Sequence, residues 1–178
     1  MGRRNFVIEG VSGAGKTTVC DELVRRGYHA VHGDRELRPP KTHALHCLNP
    51  EDAPRHEAEL VALVHKNAIW DKAKVLRHIE NSGVDISFFC GGFRNHVDLM
   101  GLFDGAFVLE VDAGTLARRL STRPTDEFGG RPLEQTLIMK LHATKEDMPK
   151  GAISIDATRP IEEVADQIIR LSDEKFWR

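Results

Sequence analysis

Residues 10–17 read GVSGAGKT, with glycines at 10, 13 and 15 and a single charge at Lys16. The spacing Gly10-x-x-x-x-Gly15-Lys16-Thr17 satisfies the full P-loop pattern. Glycine lets the backbone curl until successive N–H groups point inward at phosphate oxygens. Ser12, Gly13, Ala14, Gly15, Lys16, Thr17 and Thr18 would supply those donors. A helix opening near Lys16 adds its positive dipole end. Lys16 is placed to reach the outer phosphates, and the Thr17 hydroxyl suits Mg2+.

Asp34 stands in HGDRE, after a second strand-like run. A carboxylate there would face the γ-phosphate, where it can accept a proton from an attacking hydroxyl or hold Mg2+ through water. The alternative is an aspartate that only caps a loop or helix start. Arg35 is its neighbour. In CGGFRN (90–95), Gly91 and Gly92 allow close backbone approach. Arg94 is then either a clamp for an anionic or hydroxylated acceptor or a surface residue on a tight turn. Arg119 and Arg123 share one helix face, and Arg131 follows PTDEFGG (124–130). Three arginines around a turn-rich segment suit a lid that closes over a triphosphate, or else a solvated basic face. His43, His46 and Cys47 lack the second ligand pair of a metal finger and read as loop residues. Trp70 reads as a buried helix residue.

These groups need elements to position them, and strand and helix signals alternate along the chain. Strands are expected at 5–9, 28–32, 84–89, 105–111 and 152–156. Helices are expected at 16–26, 57–81 with a break near Asp71, 112–122, 133–147 and 161–171, with Val19, Cys20, Leu23 and Val24 inward on the first. Residues 35–56, rich in Pro, His and Arg, form a loop too long to be idle. The pattern predicts one α/β/α domain with a five-stranded parallel sheet, a lid at about 123–131 and an acceptor region at about 35–70. Each unusual stretch follows a strand, so all fall on the rim where ligands bind in such sheets.

The chain has 178 residues and a formal net charge of −2, with no electrostatic case for nucleic acid or membrane. No apolar run approaches the roughly 20 residues that span a bilayer. MGRRNF leads straight into a strand-like run, so no signal peptide is expected. Cys20, Cys47 and Cys90 are scattered, as for reduced thiols in a cytoplasm. A monomer or homodimer is expected. A switch-type NTPase would need D-x-x-G and N-K-x-D motifs, and neither stands where required.

In order of motifs the chain resembles the small-molecule P-loop kinases, which include the adenylate, shikimate, gluconate and adenylylsulfate kinases. HGDRELRPP is similar to the second-strand motif of gluconate and adenylylsulfate kinases, RLSTR (119–123) to the arginine pair opening the adenylate kinase lid, and GRPL (130–133) to the shikimate kinase lid exit. IDATRPIEEVADQI (155–168) resembles the last strand and helix of nucleoside and nucleotide kinases, where the loop touches adenine. The resemblance implies ATP and Mg2+ as cofactors, transfer to a hydroxyl of a small molecule with a nucleoside slightly preferred and a sugar acid, a shikimate-like acid or an antibiotic as the alternative, and contacts to the base from Thr158 and Arg159. It also implies catalytic roles for Lys16, Asp34, Arg119 and Arg123, and metal contacts from Thr17 and Asp34. Acceptor contacts would come from Asp34, Arg35, Gly91, Gly92, Arg94 and Arg131. One departure stands out: where adenylate-type kinases carry aspartate after the third strand, this chain has glycine. That places base and metal duties on Asp34 and Thr17.

Overall fold

The computed structural model describes residues 4–39, 56–80 and 83–173; His43, His46 and Cys47 lie outside them. The strands are β1 Arg4–Glu9, β2 His29–His32, β3 Ile86–Cys90, β4 Gly105–Glu110 and β5 Ile153–Asp156. The helices are α1 Lys16–Arg25, α2 Gly33–Glu36, α3 Glu57–Lys66, α4 Lys72–Ile79, α5 His96–Leu99, α6 Ala113–Ser121, α7 Pro132–Thr144 and α8 Ile161–Asp173. A 3-10 turn, Met100–Leu102, follows α5.

The sheet is parallel throughout, in the order β2-β3-β1-β4-β5. Period-two alternation along β1 sends Phe6 and Ile8 to one face and Val7 to the other. Phe6, Ile8, Phe88 and Phe107 join the buried apolar stripes of α1, α6, α7 and α8. Val7, Phe89, Phe93 and Trp70 form the second core. With both faces covered, the strands read as unbroken apolar runs, which is why they were legible as strands of a parallel sheet.

The differences from the sequence expectation are local. Val19, Cys20 and Leu23 face the core of α1, but Val24 is half exposed. The long second loop begins with a single helical turn, α2, that carries Asp34 and Arg35. Asp71 breaks the helical stretch as expected, capping α4 by accepting from the N–H groups of Ala73 and Lys74. Trp70 is buried, but it lies in the segment between α3 and α4 rather than in a helix. Glu9 ends the central strand.

Candidate active site

Gly10 opens the loop after β1 at φ 147°, and an ideal Cβ there would stand 2.9 Å from the Leu109 carbonyl oxygen on β4. Only glycine lets the chain turn that close to the neighbouring strand. Gly15, also left-handed, hands the chain to α1. Lys16 folds back over the loop, donating to the carbonyls of Gly10 at 2.7 Å and Val11 at 3.0 Å. Burial lowers its pKa, Asp34 and Glu9 oppose the shift, and Arg123 and Arg94 add to it. The ammonium therefore sits among two carboxylates and two guanidiniums.

The loop opens onto a two-lobed cleft. One lobe, of about 430 Å3, is lined by Ser12, Gly13, Ala14, Gly15, Lys16, Thr17, Thr18, Asp34, Arg35, Arg119, Arg123 and Arg159, with Glu127 and Ala157. The other, of about 470 Å3, shares Ser12, Lys16, Thr17, Asp34, Arg35, Arg123 and Glu127, and adds Gly10, Gly92, Arg94, Arg38, His65, Phe128, Asp147 and apolar side chains. Both volumes suit a small ligand. The lobes meet at Lys16, Thr17 and Asp34.

Asp34 bridges the ends of β2 and β3. Its Oδ1 accepts from the Gly92 N–H at 3.2 Å and from Arg38 Nη2 at 3.3 Å, and the carboxylate stays partly exposed to the cleft. This is more than a helix cap: the acceptor atom points across to the β3 loop. Gly91 is buried beneath this contact, where a Cβ would meet Trp70 and Asp34, so its part is close approach of backbone rather than lining. Glu36 bonds back to the His32 N–H, away from the cleft.

Arg119 spans the P-loop and the β5 loop, donating to the carbonyls of Gly13, Ala14 and Ala157 at 3.1–3.3 Å. Arg123 lines both lobes and pairs with Glu127 at 3.1 Å. Arg131 stands apart from both lobes. Its Nε donates to the Thr125 carbonyl, and its N–H joins that of Gly129 on Glu134 at the start of α7. The three arginines expected to converge are thus two at the cleft and one bracing the 124–130 segment. The 124–130 segment is tied to the P-loop by the Ser12 hydroxyl, which donates to the Phe128 carbonyl at 3.1 Å. Thr158 turns to Asp156, whose carboxyl it holds below the usual range, while Arg159 lines the first lobe and pairs with Glu163.

Sequence reasoning did not find Arg38, Val64, His65, Glu127, Phe128, Asp147 or Met148, which complete the second lobe. The exposed acid Glu127 was legible only as part of a turn-rich segment. Asp147 and His65 come from distant elements and carry no local signal.

A family model described as an AAA domain matches residues 7–140, and the chain belongs to that family. Its fold is that of the P-loop small-molecule kinases. A shikimate kinase structure from Bacteroides thetaiotaomicron is similar at 19% identity and TM-score 0.57, covering 96% of this chain and 99% of that one. Deoxyadenosine kinase from M. mycoides, with bound dATP, is similar at 16% identity and TM-score 0.56 over 97% and 100%. A sugar kinase from Janibacter sp. HTCC2649 is similar at 20% identity and TM-score 0.53 over 94% and 93%. No curated protein sequence matches the chain.

Proposed function

We propose that this protein is an ATP- and Mg2+-dependent phosphotransferase that moves the γ-phosphoryl group to a hydroxyl of a small molecule, a nucleoside in preference to a sugar acid, a shikimate-like acid or an antibiotic. The observation that carries the proposal is the two-lobed cleft, with a P-loop lining one lobe and a carboxylate, Asp34, at the junction with the other.

The backbone N–H groups of residues 12–17 and the N-terminus of α1 cradle the phosphates. Lys16 exchanges its two loop carbonyls for phosphate oxygens and brings its charge to the outer groups. Arg123 neutralises charge that spreads onto the transferring group. Asp34 orients the acceptor hydroxyl and takes its proton while the acceptor oxygen bonds to the γ-phosphorus and the bridging bond to ADP breaks. Thr17 and Asp34 fit Mg2+: both present oxygen to the junction, and this cation is held by one or two such groups together with substrate phosphates. Bound there, Mg2+ would neutralise phosphate charge. Arg119, which ties Ala157 to the loop, and Arg159 flank the position expected for the base. No described helix is long and apolar enough to cross a bilayer. Cys20 and Cys90 are buried free thiols, in keeping with the proposed cytoplasmic setting.

Transfer of γ-phosphate to a panel of nucleosides, sugar acids and antibiotics, followed by mass spectrometry with the parent and Lys16→Ala proteins, tests the reading. Parent-dependent transfer lost in the variant supports it. Equal transfer by both proteins sinks it.

A further inference from the structure

Arg94 reaches the acceptor lobe with its charge already engaged. Nη1 donates to the Asp147 carbonyl at 3.1 Å and lies 3.1 Å from Oδ2 of the same residue. Nη2 lies 3.7 Å from Oε2 of Glu9. Glu9 is fully buried, and its Oε1 accepts from the Phe93 N–H and faces His96 Nε2. Asp147 also bonds His65 Nε2. One guanidinium thus answers two carboxylates, while the backbone N–H of Arg94 donates to the Ala68 carbonyl at 2.8 Å and fixes the start of the side chain.

An arginine recognises a carboxylate with both arms of its planar fork. Here both arms face acids of the chain itself. A carboxylate laid against this wall would face Asp147 rather than an open guanidinium, and like charges repel there. Lys16, Arg35 and Arg123 line both lobes and so stand at the phosphate junction, and Arg38 is held by Asp34. The lobe also carries an apolar patch, Val64, Ala68, Phe128, Ile138, Leu141 and Met148, beside His65 and Glu127.

Resting on the phosphotransferase reading, we propose that the Glu9–Arg94–Asp147 cluster determines specificity. It admits a neutral, hydroxyl-bearing acceptor with a flat apolar body, of the nucleoside type, and turns away carboxylate-bearing sugar acids. Arg94 is then a positioning residue for the wall and not the anion clamp that its place after β3 suggested.

The test uses the full chain with Mg2+ and the non-hydrolysable analogue AMP-PNP. Calorimetry measures binding of uridine, adenosine, shikimate and gluconate to the loaded protein. The expected result is at least one nucleoside bound about tenfold or more tighter than either acid. An acid bound as tightly as the better nucleoside overturns the proposal, and so does silence from both nucleosides at millimolar concentration. The shift produced by AMP-PNP alone reads the phosphate site separately, so failure of the phosphotransferase reading and failure of selectivity are distinct results. Asp147→Asn removes the repelling charge and frees one arm of Arg94. It should improve binding of shikimate or gluconate about tenfold while leaving the AMP-PNP shift unchanged. No gain in a folded variant also overturns the proposal. If the variant does not fold, the parent's ratio decides.

Discussion

Gly33→Ala tests how the site is seated on the second core. An ideal Cβ at Gly33 would stand 2.1, 2.6 and 2.9 Å from Cζ2, Cε2 and Cη2 of Trp70. Carbon atoms rest at about 3.5–4.0 Å, so the indole would have to retreat by roughly 1.4 Å or more. It has nowhere to go: Trp70 is 1% exposed and stacks on Phe93 with ring centroids 4.2 Å apart. Overpacking of a dense core costs about 1–3 kcal/mol, and a carbon-on-carbon overlap this deep belongs at the upper end. For a chain of this length, about 3 kcal/mol lowers Tm by roughly 6–12 °C. Because Gly33 adjoins Asp34, the surviving folded protein should also turn over acceptor more slowly. The assay is thermal or urea unfolding of Gly33→Ala, Trp70→Phe and the double variant. Trp70→Phe removes the clashing ring, and Trp70 Nε1 makes no hydrogen bond within the described residues, so no polar contact goes with it. The double variant should recover at least about 1 kcal/mol of the loss as an interaction energy. A Gly33→Ala protein melting within about 1 °C of the parent would refute the packing argument.

Lys16→Ala should abolish transfer and weaken ATP binding severely with Tm little changed; isothermal titration and turnover on one preparation decide it. Asp34→Asn should keep ATP affinity near the parent and lower acceptor-dependent turnover by about 10²-fold or more, and turnover within a few-fold would move suspicion to another base. Hydrogen exchange over 124–130 should slow when AMP-PNP is added, since the rest of the chain holds the segment by a few side-chain contacts, from Ser12, Arg123, Arg131 and Glu134; equal exchange in both states counts against a lid. Glu22 is held at a pKa of about 2 by hydrogen bonds from Arg25 and Arg26. A depressed carboxyl stabilises the fold above its unfolded pKa, near 4.5, and loses that contribution as pH falls towards 2. The parent's Tm advantage over Glu22→Gln should therefore be full at pH 6 and fade below about pH 4.5, and a pH-independent difference would contradict the assignment.

The P-loop was legible because its chemistry is local: spacing, lysine and flanking strand and helix lie within a dozen residues. The sheet was legible because Phe6, Phe88 and Phe107 sit in short apolar runs between turn formers. Asp71 announced its cap by preceding a helical period. What could not be seen is whatever depends on partners brought together by folding. Arg94 read as either a clamp or a surface residue because CGGFRN says nothing of Glu9 on the neighbouring strand or Asp147 beyond α7. Arg131 looked like a cleft residue because sequence proximity to Arg123 does not reveal which way the chain turns at Gly129, left-handed at φ 100°. Val24 looked buried because a helical stripe on α1 does not give its width.

The Ser12–Phe128 hydrogen bond has a consequence for how the two ligands sense one another. Phe128 walls the acceptor lobe while its carbonyl holds the P-loop, and Arg123 and Glu127 face both lobes. A nucleotide that orders this short span prepares the acceptor's wall, and an acceptor resting on that wall steadies the loop. Thermodynamics makes the effect mutual: whatever factor the nucleotide gives the acceptor's affinity, the acceptor must return to the nucleotide. On the proposed function, filling either lobe would recruit the other ligand, and Ser12→Ala, which removes this hydrogen bond, would weaken that mutual effect.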